Sequence, residues 1–236
     1  MTALLGAELL KLRSVRTFVW IALANCILVL LAAISFAAST DVIELAADDR
    51  SAAQIAGVAI VFALIGGIVV MGGEATHGTI TQTLLVTPVR ERVLVAKALV
   101  AAAIGALLAV VTEALVLLIL VPGASLNVHN ARLVLLGVLI GAPLAGALGV
   151  GVGGLVQSQG AGIGITLVWL LVGEHLAPLI SHRVEKYTPG RSFGALASGV
   201  RHGGDLLGMS GGGIAAAAWT AAFLAAGLAA FLHRDV

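Results

Sequence analysis

Six stretches of this chain are each long and apolar enough to cross a bilayer, and no other feature constrains its fold so tightly. A hydrocarbon core about 30 Å thick takes about 20 consecutive apolar residues in an α-helix. The runs lie at 18–38, 54–72, 97–121, 132–156, 161–180 and 212–232. Lipid offers no hydrogen bonds to a backbone, so such segments must satisfy their own amides as helices. Composition agrees: 60% of the 236 residues are hydrophobic and 11% charged, where soluble domains carry about 25% charge. Mean hydropathy is +1.11. So few charges cannot cover a water-facing surface of this size, which excludes a soluble enzyme, a disordered tail and a disulfide scaffold. The expected fold is an all-α integral membrane protein, a single transmembrane domain over 1–236. The lone Cys26 allows neither an intrachain disulfide nor a cysteine metal cluster. A net charge of +1 leaves no basic excess that would argue for nucleic acid.

Charge asymmetry orients the spans. Lys11, Arg13 and Arg16 precede the first run, whereas Asp41, Glu44, Asp48 and Asp49 follow it against Arg50. Arg90, Arg92 and Lys97 return between the second and third. On the positive-inside rule both termini are cytoplasmic, in a multi-pass protein of the cell membrane. A basic flank before an apolar stretch also describes a signal peptide, but the first run has 21 residues and a signal core about 7–15. The last loop, 181–211, is then external, although it holds Arg183, Lys186, Arg191 and Arg201.

Two segments outside the spans are patterned. Within 1–17, Leu5, Leu9 and Leu12 recur at i, i+4 and i+7, with Glu8, Lys11 and Arg13 off that stripe. That pattern predicts an amphipathic helix lying in the headgroup layer. Between spans two and three, 73–96 opens with Glu74 and continues into a short predicted helix. Ile80, Leu84 and Leu85 are expected on one face of it, with Thr81, Gln82 and Thr83 on the other. Pro88 ends it, having no amide donor and holding Thr87 extended. Arg90, Glu91 and Arg92 lead back to the membrane at Lys97. An acid, a short helix, a proline turn and a basic return make a compact cytoplasmic knuckle.

Glu74, Gly78, Thr79, Pro88, Arg90 and Lys97, set in this order between two spans, resemble the signature of ABC-2 type transporter permeases. The six-span layout, the N-terminal amphipathic segment and the short charged end at 233–236 resemble that family too. The resemblance implies that 73–96 carries a coupling helix docking into a cytosolic P-loop ATPase. Thr76, Gly78, Thr79, Ile80, Leu84 and Leu85 would belong to the docking helix, and the return from Arg90 to Lys97 would set its angle. It also implies export, and a pore completed by a second copy or a sibling permease. The last loop departs from the resemblance, being more polar and Gly-rich than a hairpin that dips into the membrane.

The chain has no G-x-x-x-x-G-K-[ST], hence no P-loop of its own, and any ATP and magnesium would sit on the partner. Gly149, Gly151 and Gly154 match G-x-G-x-x-G, but inside a span rather than between a strand and a helix. Close helix packing explains glycine here better, with Gly137/Gly141, Gly149/Gly153 and Gly160/Gly164 as small-xxx-small pairs. Ionisable groups at membrane depth are costly, which singles out Glu113, Glu174 and His175 as candidates for a substrate path or for internal pairing, Glu113 for instance with Arg132. Asn25 reads as a helix–helix hydrogen bond. The six histidines show no metal-binding spacing, and no nucleophile–base arrangement suggests a catalyst. The readings are thus an ATP-driven exporter subunit for a drug, peptide, lipid or other amphipathic molecule; a secondary transporter driven by an ion gradient through Glu113 or Glu174; and a non-transporting scaffold or immunity protein.

Overall fold

The computed structural model describes residues 4, 6–8, 10–11, 16–39, 49–86, 88–124, 126–180, 185–200 and 207–233. Residues 4, 6–8 and 10–11 are helical, whereas Leu5, Leu9, Leu12 and Arg13 of the expected amphipathic stripe lie outside the described residues. After them come α1 (Arg16–Ser39), α2 (Asp49–Gln54), one 3-10 turn (Ile55–Gly57), α3 (Val58–Thr76) and α4 (Ile80–Val86). Then follow α5 (Arg90–Ala124), α6 (Val128–Val156), α7 (Gln159–Val168), a π turn (Trp169–Gly173), α8 (Glu174–Ile180), α9 (Pro189–Ala197) and α10 (Met209–His233). Among the described residues there is no strand, and six helical stretches are long and apolar enough to span a membrane. They match the six apolar runs one for one, so the chain is an all-helical, multi-pass membrane protein.

The helix that holds the bundle together is α6. It packs on α3, α5, α10 and α9, and glycine is what lets these backbones approach. A Cβ built on Gly67 of α3 would fall on the Gly146 carbonyl oxygen, and one on Gly149 would fall on that of Leu64. Gly105 and Gly146 do the same between α5 and α6, and Gly151 lies within 2.5 Å, by its missing Cβ, of the Phe223 backbone in α10. Lipid tails are as apolar as leucine, so such close packing replaces the hydrophobic effect as the adhesive between helices. Of the expected pairs, Gly137/Gly141 and Gly149/Gly153 meet neighbouring helices or loops, whereas Gly160 and Gly164 face open space.

Call the end where α3 gives way to α4 proximal and the other distal. At the distal end Asp49, at the start of α2, is buried and accepts from Asn127 N at 2.9 Å and Asn130 Nδ2 at 2.8 Å, pinning α2 to the α5–α6 turn. Asn127 in turn caps α6 by accepting from His129 N.

Three boundaries differ from the sequence reading. The third span starts at Arg90, not 97, and runs through Pro122 to Ala124; proline in a last turn forfeits one hydrogen bond without ending the helix. The short helix starts at Ile80 rather than Thr76, because Gly78 adopts φ +67° and makes a turn of His77–Thr79. The last loop contains a helix that enters the bundle. In α9, Phe193, Leu196 and Ala197 are buried, and Leu196 lies against Gly137 and Gly212. Gly137 is nine residues into α6, roughly 14 Å along it at 1.5 Å per residue. A loop this polar dips in because its apolar residues recur at i, i+3 and i+4 and its carboxylate cap comes from elsewhere, as described next.

Candidate functional site

At the proximal end four distant segments meet in one ion cluster. Lys97, in the second turn of α5, is fully buried, with Nζ 2.8 Å from Glu74 Oε1 and 2.9 Å from Glu8 Oε2. It also donates to the Val70 carbonyl at 3.4 Å. Lys11 Nζ reaches the other side of the same carboxylates, 2.7 Å from Glu74 Oε1 and 2.9 Å from Glu8 Oε1. Thr83 of α4 closes the ring, accepting from Lys11 at 3.1 Å and donating to Glu74 Oε2 at 3.2 Å. Two lysines and two glutamates balance. That matters because an uncompensated ammonium buried as Lys97 is costs several kcal/mol. Burial pulls the Lys11 pKa down, but the hydrogen bonds and charges of Glu74 and Glu8 outweigh it and hold the group above the ordinary lysine value.

The cluster ties the N-terminal helical residues, α3, α4 and α5 together, and further bonds add the remaining proximal elements. Arg90 Nη1 donates to the Phe231 carbonyl at 2.6 Å and its guanidinium lies 5.5 Å from the Phe231 ring centroid. It thereby caps the C-terminus of α10, where the helix dipole favours a cation. Thr76 Oγ1 accepts from Gln159 N at 3.0 Å, fastening the end of α3 to the α6–α7 turn.

The faces of α4 are not those expected. Ile80 is buried in an apolar group that includes Leu94 and Phe231, and Leu84 packs against that group, but Leu85 is 81% exposed. Thr83 turns inward to Glu74, so the exposed face is Thr81, Gln82 and Leu85, continued by Thr79, Pro88 and Val89. The reason is register. At about 100° per residue Leu85 lies about 140° round from Ile80, so positions 80, 83 and 84 share the inner side and 85 joins 81 and 82.

The expected site residues therefore divide. Glu74, Arg90 and Lys97 form internal braces, Ile80 and Leu84 are the inner face of α4, and Thr76 bridges to α7. Gly78, Thr79, Leu85 and Pro88 are exposed. Glu8, Lys11 and Thr83 complete the cluster, and the sequence alone assigns them no place in it. The one hint was that Glu8 and Lys11 sit three apart off the leucine stripe; nothing local says which distant charges they meet.

The membrane-depth candidates do not come together. Glu174, buried at the start of α8, is fully engaged: Thr188 Oγ1 donates at 2.6 Å, Gly190 N at 2.7 Å, Trp169 Nε1 at 3.0 Å and Arg191 N at 3.2 Å. Its carboxylate is the N-terminal cap of α9, lent by the preceding span, and so latches α9 to the π turn. His175 beside it is exposed. Glu113 in α5 has one carboxylate oxygen buried without a hydrogen-bond partner, and Arg132 instead meets the His129 ring. Asn25 makes the helix–helix bond, donating to Thr112 at 2.7 Å between α1 and α5.

A family model described as "ABC-2 family transporter protein" matches residues 4–173. The match takes in the whole ion cluster and all of α4, and stops one residue short of Glu174. No curated protein and no solved structure matches the sequence.

Proposed function

The chain belongs to the ABC-2 family of transporter proteins, and from that premise we propose that it is the permease subunit of an ATP-driven exporter, with its proximal end in the cytoplasm. The observation that carries the reading is the pairing of Leu85 with Lys97: an apolar side chain held out to solvent on a short helix whose other face is clamped to two spans by a buried ion cluster. A loop that only joined α3 to α5 would need neither. The exposed Thr79, Thr81, Gln82, Leu85 and Pro88 form the surface on which a cytosolic P-loop ATPase docks. The cluster converts a push on α4 into a movement of α3 and α5 as one body, because Glu74 and Lys97 hold the two helices at fixed separation. Such rigid-body displacement is the common way a small movement at one site is passed through packed helices. ATP and magnesium belong to the partner, a second copy or sibling completes the pathway, and the cargo is amphipathic. The direct test is affinity purification of the chain from its native membrane: a P-loop ATPase is recovered with the parent and lost with Leu85→Asp. Recovery of a lone, transport-active chain contradicts the proposal.

A second reading, a secondary transporter, draws on Glu113, whose buried oxygen without a partner suits a proton carrier better than Glu174, which accepts from four donors. Flux that survives ATP depletion, collapses with an uncoupler and is lost in Glu113→Gln would favour it.

A further inference from the structure

Between α7 and α10 lies a cavity of about 910 Å³, backed by α3 and α6 and roofed by α9. Its volume is at the upper end of the range of about 300–1,000 Å³ found for small-molecule sites. Its walls are Ile60, Leu64, Leu148, Val152, Phe193 and Phe223, together with Trp169 and Trp219. What distinguishes it is that both indoles and the Thr188 and Ser198 hydroxyls of its lining are bonded elsewhere, with Thr166 adding one further hydroxyl. Trp169 Nε1 donates to Glu174, and Trp219 Nε1 to the Tyr187 carbonyl at 2.6 Å. The Thr188 and Ser198 hydroxyls donate to Glu174 and to the Ala195 carbonyl. No carboxylate lines the cavity among the described residues, and the charged lining residue, Arg191, is paired with Glu185 at 2.9 Å.

We propose that this cavity is a binding site for the hydrocarbon chain of a single-chain amphiphile, with the polar head toward Gln54 and Tyr187. Both of those lining residues are exposed. The apolar walls offer a ligand little but dispersion, so a flexible methylene chain is the chemistry that fits. A cation is disfavoured for want of any acid on the wall; a polar cargo is disfavoured because both indole N–H donors are already engaged and the rest of the wall is mostly apolar. Two glycines mark where the space is unfilled. Gly57 and Gly194 both line it, and a Cβ built on either meets nothing within 4 Å. The site stands apart from the ATPase docking surface and does not depend on it. A resident bilayer chain and a transported amphiphile share this chemistry.

Fluorescence tests it. The chain has three tryptophans, Trp20, Trp169 and Trp219, and Trp20→Phe removes the one outside the cavity. In nanodiscs of unbrominated phosphatidylcholine, a single-chain phosphocholine brominated at mid-chain is titrated against the emission of Trp169 and Trp219. The expected result is saturable quenching at a few mole per cent of probe. In Gly57→Phe and, separately, Gly194→Phe, which fill the space from the 3-10 turn and from α9, at least half of that quenching is lost and the remainder rises linearly with probe. Circular dichroism and gel filtration select variants that keep the parent fold. Quenching that is linear in the parent, or unchanged in folded versions of both filled variants, overturns the proposal. So does efficient disulfide formation between copies of Gly194→Cys in a Cys26→Ser background, since the space would then be a protein interface. Native mass spectrometry separates the sources: a phospholipid adduct lost in the filled variants identifies a resident lipid, and saturable probe binding without such an adduct identifies an exchangeable ligand.

Discussion

Lys97 and Glu74 stand 2.8 Å apart at the proximal end of α5 and α3, the lysine with none of its side chain exposed and the glutamate with 12%. Removing one partner of such a pair costs about 3–5 kcal/mol, because the other charge stays buried and unpaired. Lys97→Ala is the severe case, since it leaves the two carboxylates of Glu8 and Glu74 with Lys11 alone to balance them. Its expected effect is a loss of that order in unfolding free energy. The double variant Glu74→Gln/Lys97→Met should cost less than the sum of its singles, as contacting residues do. Denaturant unfolding of the four proteins in one detergent reads this directly, and strict additivity would mean that the pair is not coupled.

Glu74→Ala differs in kind from Lys97→Ala. It leaves Lys97 paired with Glu8, so insertion into the membrane is expected to persist. What it removes is the α3 side of the cluster, its bonds to Thr83 of α4, Lys97 of α5 and Lys11. ATP-dependent flux should fall at least tenfold while ATP hydrolysis by the complex continues. Undiminished flux would show that the cluster does not transmit the push.

Leu85→Asp should leave stability within about 0.5 kcal/mol of the parent, as surface substitutions do, because the side chain is 81% exposed. Leu84→Asp should not, since Leu84 packs against the buried group that includes Phe231. Comparing melting temperature with ATPase recovery separates docking from folding: Leu85→Asp loses the partner with an unchanged melt, and Leu84→Asp lowers the melt.

Glycine positions give a sharp contrast. Gly67→Ala and Gly149→Ala would drive a methyl into a carbonyl of the facing helix, and overpacking of this sort costs about 1–3 kcal/mol or more. Gly164→Ala meets nothing within 4 Å and should stabilise by up to about 1 kcal/mol through helix propensity alone. Thermal unfolding of the three variants ranks them, and equal effects would contradict the close packing on α6.

Glu174→Ala takes the cap from α9 and leaves Gly190 N and Arg191 N without their acceptor. Hydrogen bonds to a charged group are worth about 1.5–3 kcal/mol each, so a lower melting temperature and faster amide exchange across 189–197 are expected. Glu174→Gln keeps one carbonyl acceptor and should fall between the two. Amide exchange unchanged in Glu174→Ala would remove the latch.

Much of this architecture could be read from the chain alone. The six spans were legible because lipid imposes a length and a polarity that twenty residues display locally. Asn25, alone in its run, announced a partner, and Thr112 supplies it. Glu74 and Lys97 were legible as members of a knuckle, but not as each other's counter-ions, because Glu8 and Lys11 arrive from 63 to 89 residues away. The faces of α4 were misassigned because Ile80 and Leu85 are five residues apart, about 140° round the helix, which puts Leu85 with Thr81 and Gln82. The inward course of α9 was masked by composition. Its own signals were present: Thr188-Pro189 at a helix start and Phe193, Leu196 and Ala197 on one face. Averaged with the surrounding glycines and charges, they read as a polar loop. Glu174 read equally as a path residue or an internally paired one, because the four donors that engage it lie on both sides along the chain, the nearest five residues before it.

The central claim is that this chain moves its cargo with energy drawn from a partner through α4. Reconstitution into sealed vesicles with the co-purified ATPase, loaded with an amphipathic fluorescent probe, measures it. The account predicts flux that requires ATP on the proximal side, is indifferent to an uncoupler, and is lost in Leu85→Asp although the variant inserts and melts like the parent. Flux from the chain alone, independent of ATP and abolished by the uncoupler, would contradict it.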